Sequence, residues 1–83
     1  MFTVYILLSE KDKRTYVGYT KDIATRLIEH NSGRVTATKH RIPFRVFLTE
    51  KFQTLKEAKA RELWWKSSSG RRKLKETFER QVV

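Results

Sequence analysis

The chain has 83 residues, no cysteine, and 19 Lys plus Arg against 9 Asp plus Glu, a formal net charge of +10. This length supports one small domain near the lower limit of what folds unaided, and without cysteine neither a disulfide nor a thiolate metal site can reinforce it. Folding does not need so large a positive excess, so a generally cationic surface is the plain reading and a polyanion, nucleic acid first, is the sharper one. An acidic membrane surface is a weaker alternative, because no basic amphipathic helix stands free of the core. The apolar run Val4 to Leu8 is too short to span a membrane and follows no basic leader, so a soluble, cytoplasmic protein is expected.

Phe2 to Leu8 alternates, with Phe2, Val4, Ile6 and Leu8 on one face and Thr3, Tyr5 and Leu7 on the other. Both faces are largely apolar, as in a central strand covered on both sides. The polar segment Ser9 to Arg14 leads to the strand-like Tyr16-Val17-Gly18-Tyr19-Thr20, which predicts an antiparallel hairpin with Tyr5 near Tyr16. Gly18 leaves the backbone of that second strand bare for a close approach. Asp22 then caps a helix ending near Asn31, in which Ile23, Ala24, Leu27 and Ile28 form an apolar arc. Arg26 and His30, four residues apart, share the edge of that arc. An arginine fork beside an imidazole can hold a phosphate; a solvated arginine and a histidine paired with a glutamate is the plain alternative, and the helix alone leaves both open. The stretch Thr15 to Asn31 is the one around which the rest of the chain is organised.

Ser32-Gly33 stops the helix, and a basic loop from Arg34 to Arg41, with Thr36 and Thr38 between its charges, is closed by Pro43. Phe44 to Thr49 alternates as a third strand. Thr54 and Glu57 have capping-box spacing and open a second helix to about Lys66. Ser67-Ser68-Ser69-Gly70 is expected to break it before a last helix from Arg71, with Leu74, Phe78 and Val82 as its apolar stripe. No repeat or second domain is evident.

Glu62 stands in an unusual place. On a wheel of about 100° per residue it lies within about 60° of Leu55, Ala58 and Trp65, inside the apolar stripe of the second helix. A carboxylate there needs a partner. Lys59 and Lys66 are within reach for a structural ion pair, and a divalent cation completed by water and phosphate oxygens is the other reading. No Cys or His cluster favours zinc.

Taken together, Val4-Tyr5, Tyr16-Val17-Gly18, Arg26 with His30, and Glu57-Ala58 followed by Glu62 resemble, in order and spacing over about the whole chain, the GIY-YIG nuclease superfamily. The most similar type is the small stand-alone bacterial kind related to the N-terminal domain of the excinuclease, a DNA repair nuclease. The resemblance implies a compact α/β (α+β) fold, one domain over residues 1–83, with a three-stranded antiparallel sheet flanked by three helices in the order β-β-α-β-α-α. It also implies hydrolysis of a phosphodiester with Mg²⁺ or Mn²⁺. By position, Glu62 would hold the metal, Arg26 would stabilise the charged phosphate, Tyr5 and Tyr16 would position or deprotonate the attacking water, and His30 would assist at the phosphate or in proton transfer. Phosphoryl transfer asks for such positioning and positive charge. Two positions depart from the pattern: Thr3-Val4-Tyr5 stands where the family name has Gly-Ile-Tyr, and no asparagine follows Asn31, where many active members carry one after the glutamate.

Three readings are open. The first is a metal-dependent DNA endonuclease of low sequence specificity, with RNA or branched nucleic acid as further partners, whose Arg34, Lys39, Arg41, Arg71, Arg72, Lys73 and Lys75 contact phosphates without reading bases. The second is a basic nucleic-acid-binding module of the same fold with weak or no cleavage. The third uses Trp64, which the wheel leaves on the outer face, as an anchor for a protein or a platform for a base. Oligomeric state stays open.

Overall fold

In the computed structural model, which describes the backbone of residues 1–82 and the side chains of residues 1–80, a three-stranded sheet carries helices on both faces. The elements are β1 (Phe2–Ser9), β2 (Thr15–Thr20), α1 (Ile23–Asn31), β3 (Phe44–Phe52), α2 (Leu55–Lys66) and α3 (Ser68–Val82). The strand order is β2-β1-β3, and both pairings are antiparallel. β1 is central as its doubly apolar pattern requires, and Thr3 to Ser9 are all buried.

The alternation of β1 sorts the core into two layers. Val4 and Ile6 join Val17, Ala58 and Trp65 on the face covered by α2. Tyr5 and Leu7 join Phe44 on the opposite face, with Tyr16, Ile23, Leu27 and Ile42 packed against them. β2 is an edge strand, so its outer side lies open beside α2 and α3.

Helix boundaries follow local chemistry. Asp22 caps α1 by accepting from the Thr25 amide, and Thr54 and Glu57 form the full capping box at α2. After α1, Gly33 adopts the left-handed backbone (φ 79°) of a helix stop. The Asn31 side chain then exchanges two hydrogen bonds with the Phe44 backbone, at 2.6 and 3.0 Å, tying the end of α1 to the start of β3.

Several expectations need correction. The last helix begins at Ser68, not Arg71; Ser67 alone interrupts, and Gly70 lies inside α3. A Cβ there would collide with the Trp64 carbonyl oxygen, so glycine serves the close crossing of α2 and α3 and does not break a helix. β3 runs three residues past Thr49. On α1, Ala24 and Ile28 are exposed, and the inward stripe is the half-buried Ile23 and Leu27 with the buried His30, at i, i+4 and i+7. His30 therefore does not stand at the rim, and it is fully buried. On α2, Leu55 is exposed, while Trp64 is half-buried against the core with the Arg61 guanidinium 4.2 Å from its ring centre, so no free outer face remains for it. Leu74 and Phe78 are half-buried as expected; the side chain of Val82 lies outside the described residues. Among the described residues no helix is long and apolar enough to cross a membrane.

Candidate active site

Tyr5 is the hub. It points from the centre of the sheet toward α1, and its cross-strand neighbour on β2 is Gly18. A Cβ on Gly18 would lie 2.5 Å from the Tyr5 hydroxyl oxygen, so the close approach read from the sequence is made by the protein's own phenol. The hydroxyl accepts from Arg26 Nε at 3.4 Å and lies 3.1 Å from His30 Nε2. A guanidinium can only donate, so the phenolic hydrogen is left free to point at the imidazole; in the Nδ1–H tautomer of a neutral His30, Tyr5 donates to Nε2. His30 Nδ1 is 2.7 Å from Thr38 Oγ1. The rings of Tyr5, Tyr16 and Phe44 surround the imidazole edge-on, with centroids 5.9, 5.2 and 5.9 Å away.

Electrostatics keep this cluster neutral apart from Arg26. Burial pushes the Tyr5 phenol above its ordinary value against the pull of Arg26, and the charges of Tyr16 and Glu62 push the same way. Burial also pulls the His30 imidazole below 6.5, helped by Arg26. Hydrogen bonding to Tyr5 and Glu29 holds Arg26 above the usual arginine value, although burial opposes it. Its side chain is 34% exposed, so the guanidinium can still meet a ligand.

Glu62 stands on α2. Its side chain is 16% exposed and one oxygen lies 3.5 Å from Lys66 Nζ. Of the two sequence readings, the lysine pair is the one present; among the described residues no hydrogen bond or ion pair joins Glu62 to Tyr5, Arg26 or His30. Other acids have fixed structural duties. Of the partly buried ones, Glu50 accepts two hydrogen bonds from Arg61 and one from Trp65, and Glu29 pairs with Arg26. Of the exposed ones, Asp12 holds Arg41, and Asp22 and Glu57 cap helices. Among the described residues Glu62 has only its lysine, itself 50% exposed.

The basic residues separate into two kinds. Arg34, Lys39, Arg71, Arg72, Lys73 and Lys75 are exposed. Arg41 is engaged: it pairs with Asp12 at 2.7 Å, donates to the Thr15 carbonyl and covers the Phe44 ring. It clamps the hairpin turn to the loop, so its guanidinium is not free for phosphate in the way expected. Sequence reading missed Thr38, which looked like a spacer between charges, and the Glu50–Arg61–Trp65 cluster. A short polar residue eight positions after a core-facing histidine was the available signal for Thr38.

Residues 1–75 match the family model described as the GIY-YIG catalytic domain. A UPF0213 protein of Staphylococcus saprophyticus is 44% identical over 66 residues, covering 78% of this chain and 80% of that one. One from Listeria welshimeri is 38% identical over 78 residues, covering 93% and 87%. Among solved structures, the solution NMR structure of a UPF0213 protein from Bacillus halodurans matches with a TM-score of 0.54 and 39% identity, covering 90% of this chain and 81% of that one.

Proposed function

Since this chain belongs to the GIY-YIG catalytic-domain family, we propose that it is a metal-dependent endonuclease that hydrolyses phosphodiester bonds in DNA with little sequence preference. The observation that carries this reading is the contact of Arg26 and His30 with a single phenol, at 3.4 and 3.1 Å. Arg26 brings positive charge to the developing negative charge on phosphorus. Tyr5 passes its proton to His30 Nε2 as it takes one from the attacking water, which favours Tyr5 over Tyr16 for proton transfer. A free phenol is a poor base near neutral pH; here the phenol takes the water's proton only as the neutral imidazole accepts the phenol's own, so no free phenolate forms, and Arg26 holds the oxygen in place. Tyr16, half-buried at the edge of β2, orients the water or the phosphate.

Glu62 is the residue that would hold the cation. Among the described residues no group of three His, Asp or Glu could enclose a metal, so one carboxylate with water and phosphate oxygens would complete the shell. That donor set fits Mg²⁺ or Mn²⁺ and does not fit zinc. A divalent ion bound there supplies positive charge to the phosphate and to the leaving oxygen. Lys66, half exposed, can turn into solvent to release the acid.

A binding module without cleavage accounts for the basic surface equally well. It has no use for a carboxylate kept largely from solvent, and a carboxylate repels a polyanion. The test is cleavage of DNA by the purified protein with Mg²⁺ or Mn²⁺, silenced by chelator. Glu62→Ala and Arg26→Ala are expected to cut at least about a hundredfold more slowly while binding DNA within a few-fold of wild type. Cutting at the wild-type rate by both would remove the site assignment.

A further inference from the structure

Two grooves meet along the open side of β2. One, of about 290 Å³, is lined by Tyr16 and by Lys66, the partner of Glu62. The other, of about 630 Å³, is lined by Lys13 and Arg14 of the hairpin turn and by Lys75 and Phe78 of α3. Thr15, Arg71 and Leu74 line both, so the two form one cleft that runs from Tyr16 and Lys66 to Phe78 of α3. No acid lines it, and among the described residues Lys13, Arg14, Arg71 and Lys75 have no ion-pair partner.

We propose that this cleft seats the unpaired nucleic-acid strand next to the scissile phosphate, a proposal that rests on the nuclease reading. Four unpaired cations along the walls track successive phosphates. The apolar floor of Leu74 and Phe78 offers nothing to the phosphates of a duplex, whereas it accepts the face of an unstacked base. Of the two basic segments of the chain, the one on α3 is continuous with Tyr16, and it acquires Lys13 and Arg14 from a hairpin turn that looks like a mere linker in the sequence.

The test is fluorescence anisotropy of a labelled single-stranded oligodeoxynucleotide and of its duplex, in EDTA so that cutting plays no part. Arg14→Ala and Lys75→Ala should each lower the slope of log affinity against log salt by about 0.7 for the single strand. Phe78→Leu, which keeps an apolar side chain against Phe47, should weaken single-strand binding by roughly fivefold or more. Lys56→Ala, on the exposed side of α2, should change neither. Unchanged salt slopes in both cation variants, or equal sensitivity of duplex binding to Phe78→Leu, would overturn the proposal. Binding through the cleft with no cutting under any divalent ion would instead overturn the nuclease reading.

A second inference stands on a separate observation. Thr38 is fully buried, and its Oγ1 lies 3.5 Å from the Val35 carbonyl as well as 2.7 Å from His30 Nδ1. The carbonyl can only accept, so the threonine hydrogen goes there and Oγ1 accepts from Nδ1–H. At the other end, Arg26 leaves the Tyr5 hydrogen for Nε2. The Thr38 end selects the Nδ1–H tautomer and the Tyr5 end fits it, and we infer that Thr38 is a positioning residue that keeps the Nε2 lone pair turned to Tyr5.

Long-range ¹H–¹⁵N correlation of the His30 ring tests this without activity: the wild type should show the Nδ1–H tautomer, and Thr38→Val a shift toward Nε2–H. Cutting should fall about tenfold or more in Thr38→Val at unchanged KM, within what proton transfer contributes, and Thr38→Ser should restore both. An unchanged tautomer in Thr38→Val, or a folded Thr38→Ser that restores neither, would overturn it.

Discussion

Beneath α2 the sheet presents Val4, Ile6 and Val17 to Ala58 and Trp65, an apolar core flanked by the Glu50–Arg61–Trp65 cluster. Beneath α1 the same strand presents Tyr5, and what meets it is an arginine, a histidine and, one contact further, a threonine. Each buried side-chain nitrogen and oxygen among the described residues still finds a partner, so the second face achieves burial without becoming apolar. Filling it with hydrocarbon would raise stability at no structural loss, and a domain this small has little stability to spare. On the proposed function the α1 face is the one used for chemistry, and the two faces should separate: loss of the apolar core under α2 should appear as lost stability, whereas loss of Tyr5, Arg26 or His30, or of Glu62 on α2, should appear as lost cutting.

The largest expected effect lies on the apolar face. Ile6 is almost fully buried on that face and lines neither groove, so Ile6→Ala should cost about 2–5 kcal/mol in urea unfolding. Cutting per folded molecule should stay near wild type. Next comes a substitution at the boundary: Gly18→Ala places a methyl group where the Tyr5 hydroxyl sits. Displacing the phenol should lower cutting by about tenfold or more, at an overpacking cost of about 1–3 kcal/mol read from the same unfolding curve. A smaller effect is a pH dependence. His30 is buried neutral, its imidazole held below 6.5 by burial and by Arg26. As the pH falls below about 6.5 the unfolded chain takes up a proton that the folded chain refuses. Stability is therefore complete above that pH and declines below it until the folded imidazole itself titrates, and thermal melts of His30→Gln should lack that decline. Asp12 and Glu50, both held below the ordinary carboxylate range, add losses of the same sign at lower pH.

Much of this division was legible in the residues. The alternation from Phe2 to Leu8 announced a doubly covered strand, and the Thr54–Glu57 spacing specified a cap that the fold makes in full. The position of Glu62 in an apolar stripe was readable because α-helical periodicity ignores what a side chain carries. The same indifference places His30 in the core at i+7 from Ile23, but a histidine counts as polar in any apolar tally, which selects Ile28 instead. Ser68 and Ser69 read as a break because serine competes with helix hydrogen bonds locally, whereas packing of Gly70 on Trp64 and Trp65 decides that segment from outside it. The free sides of β2 and the cations of the hairpin turn come together only through topology, and no local pattern reports that.

The comparison of the two faces is tested most directly by Tyr5→Phe, which removes one oxygen and keeps the ring. Metal-dependent cleavage of a labelled oligonucleotide and thermal unfolding, measured side by side, should show cutting reduced about a hundredfold or more with a melting temperature within a few degrees of wild type. Wild-type cutting by the phenylalanine variant would contradict the account, because the phenol would then be one more packed side chain and the α1 face no different in kind from the other.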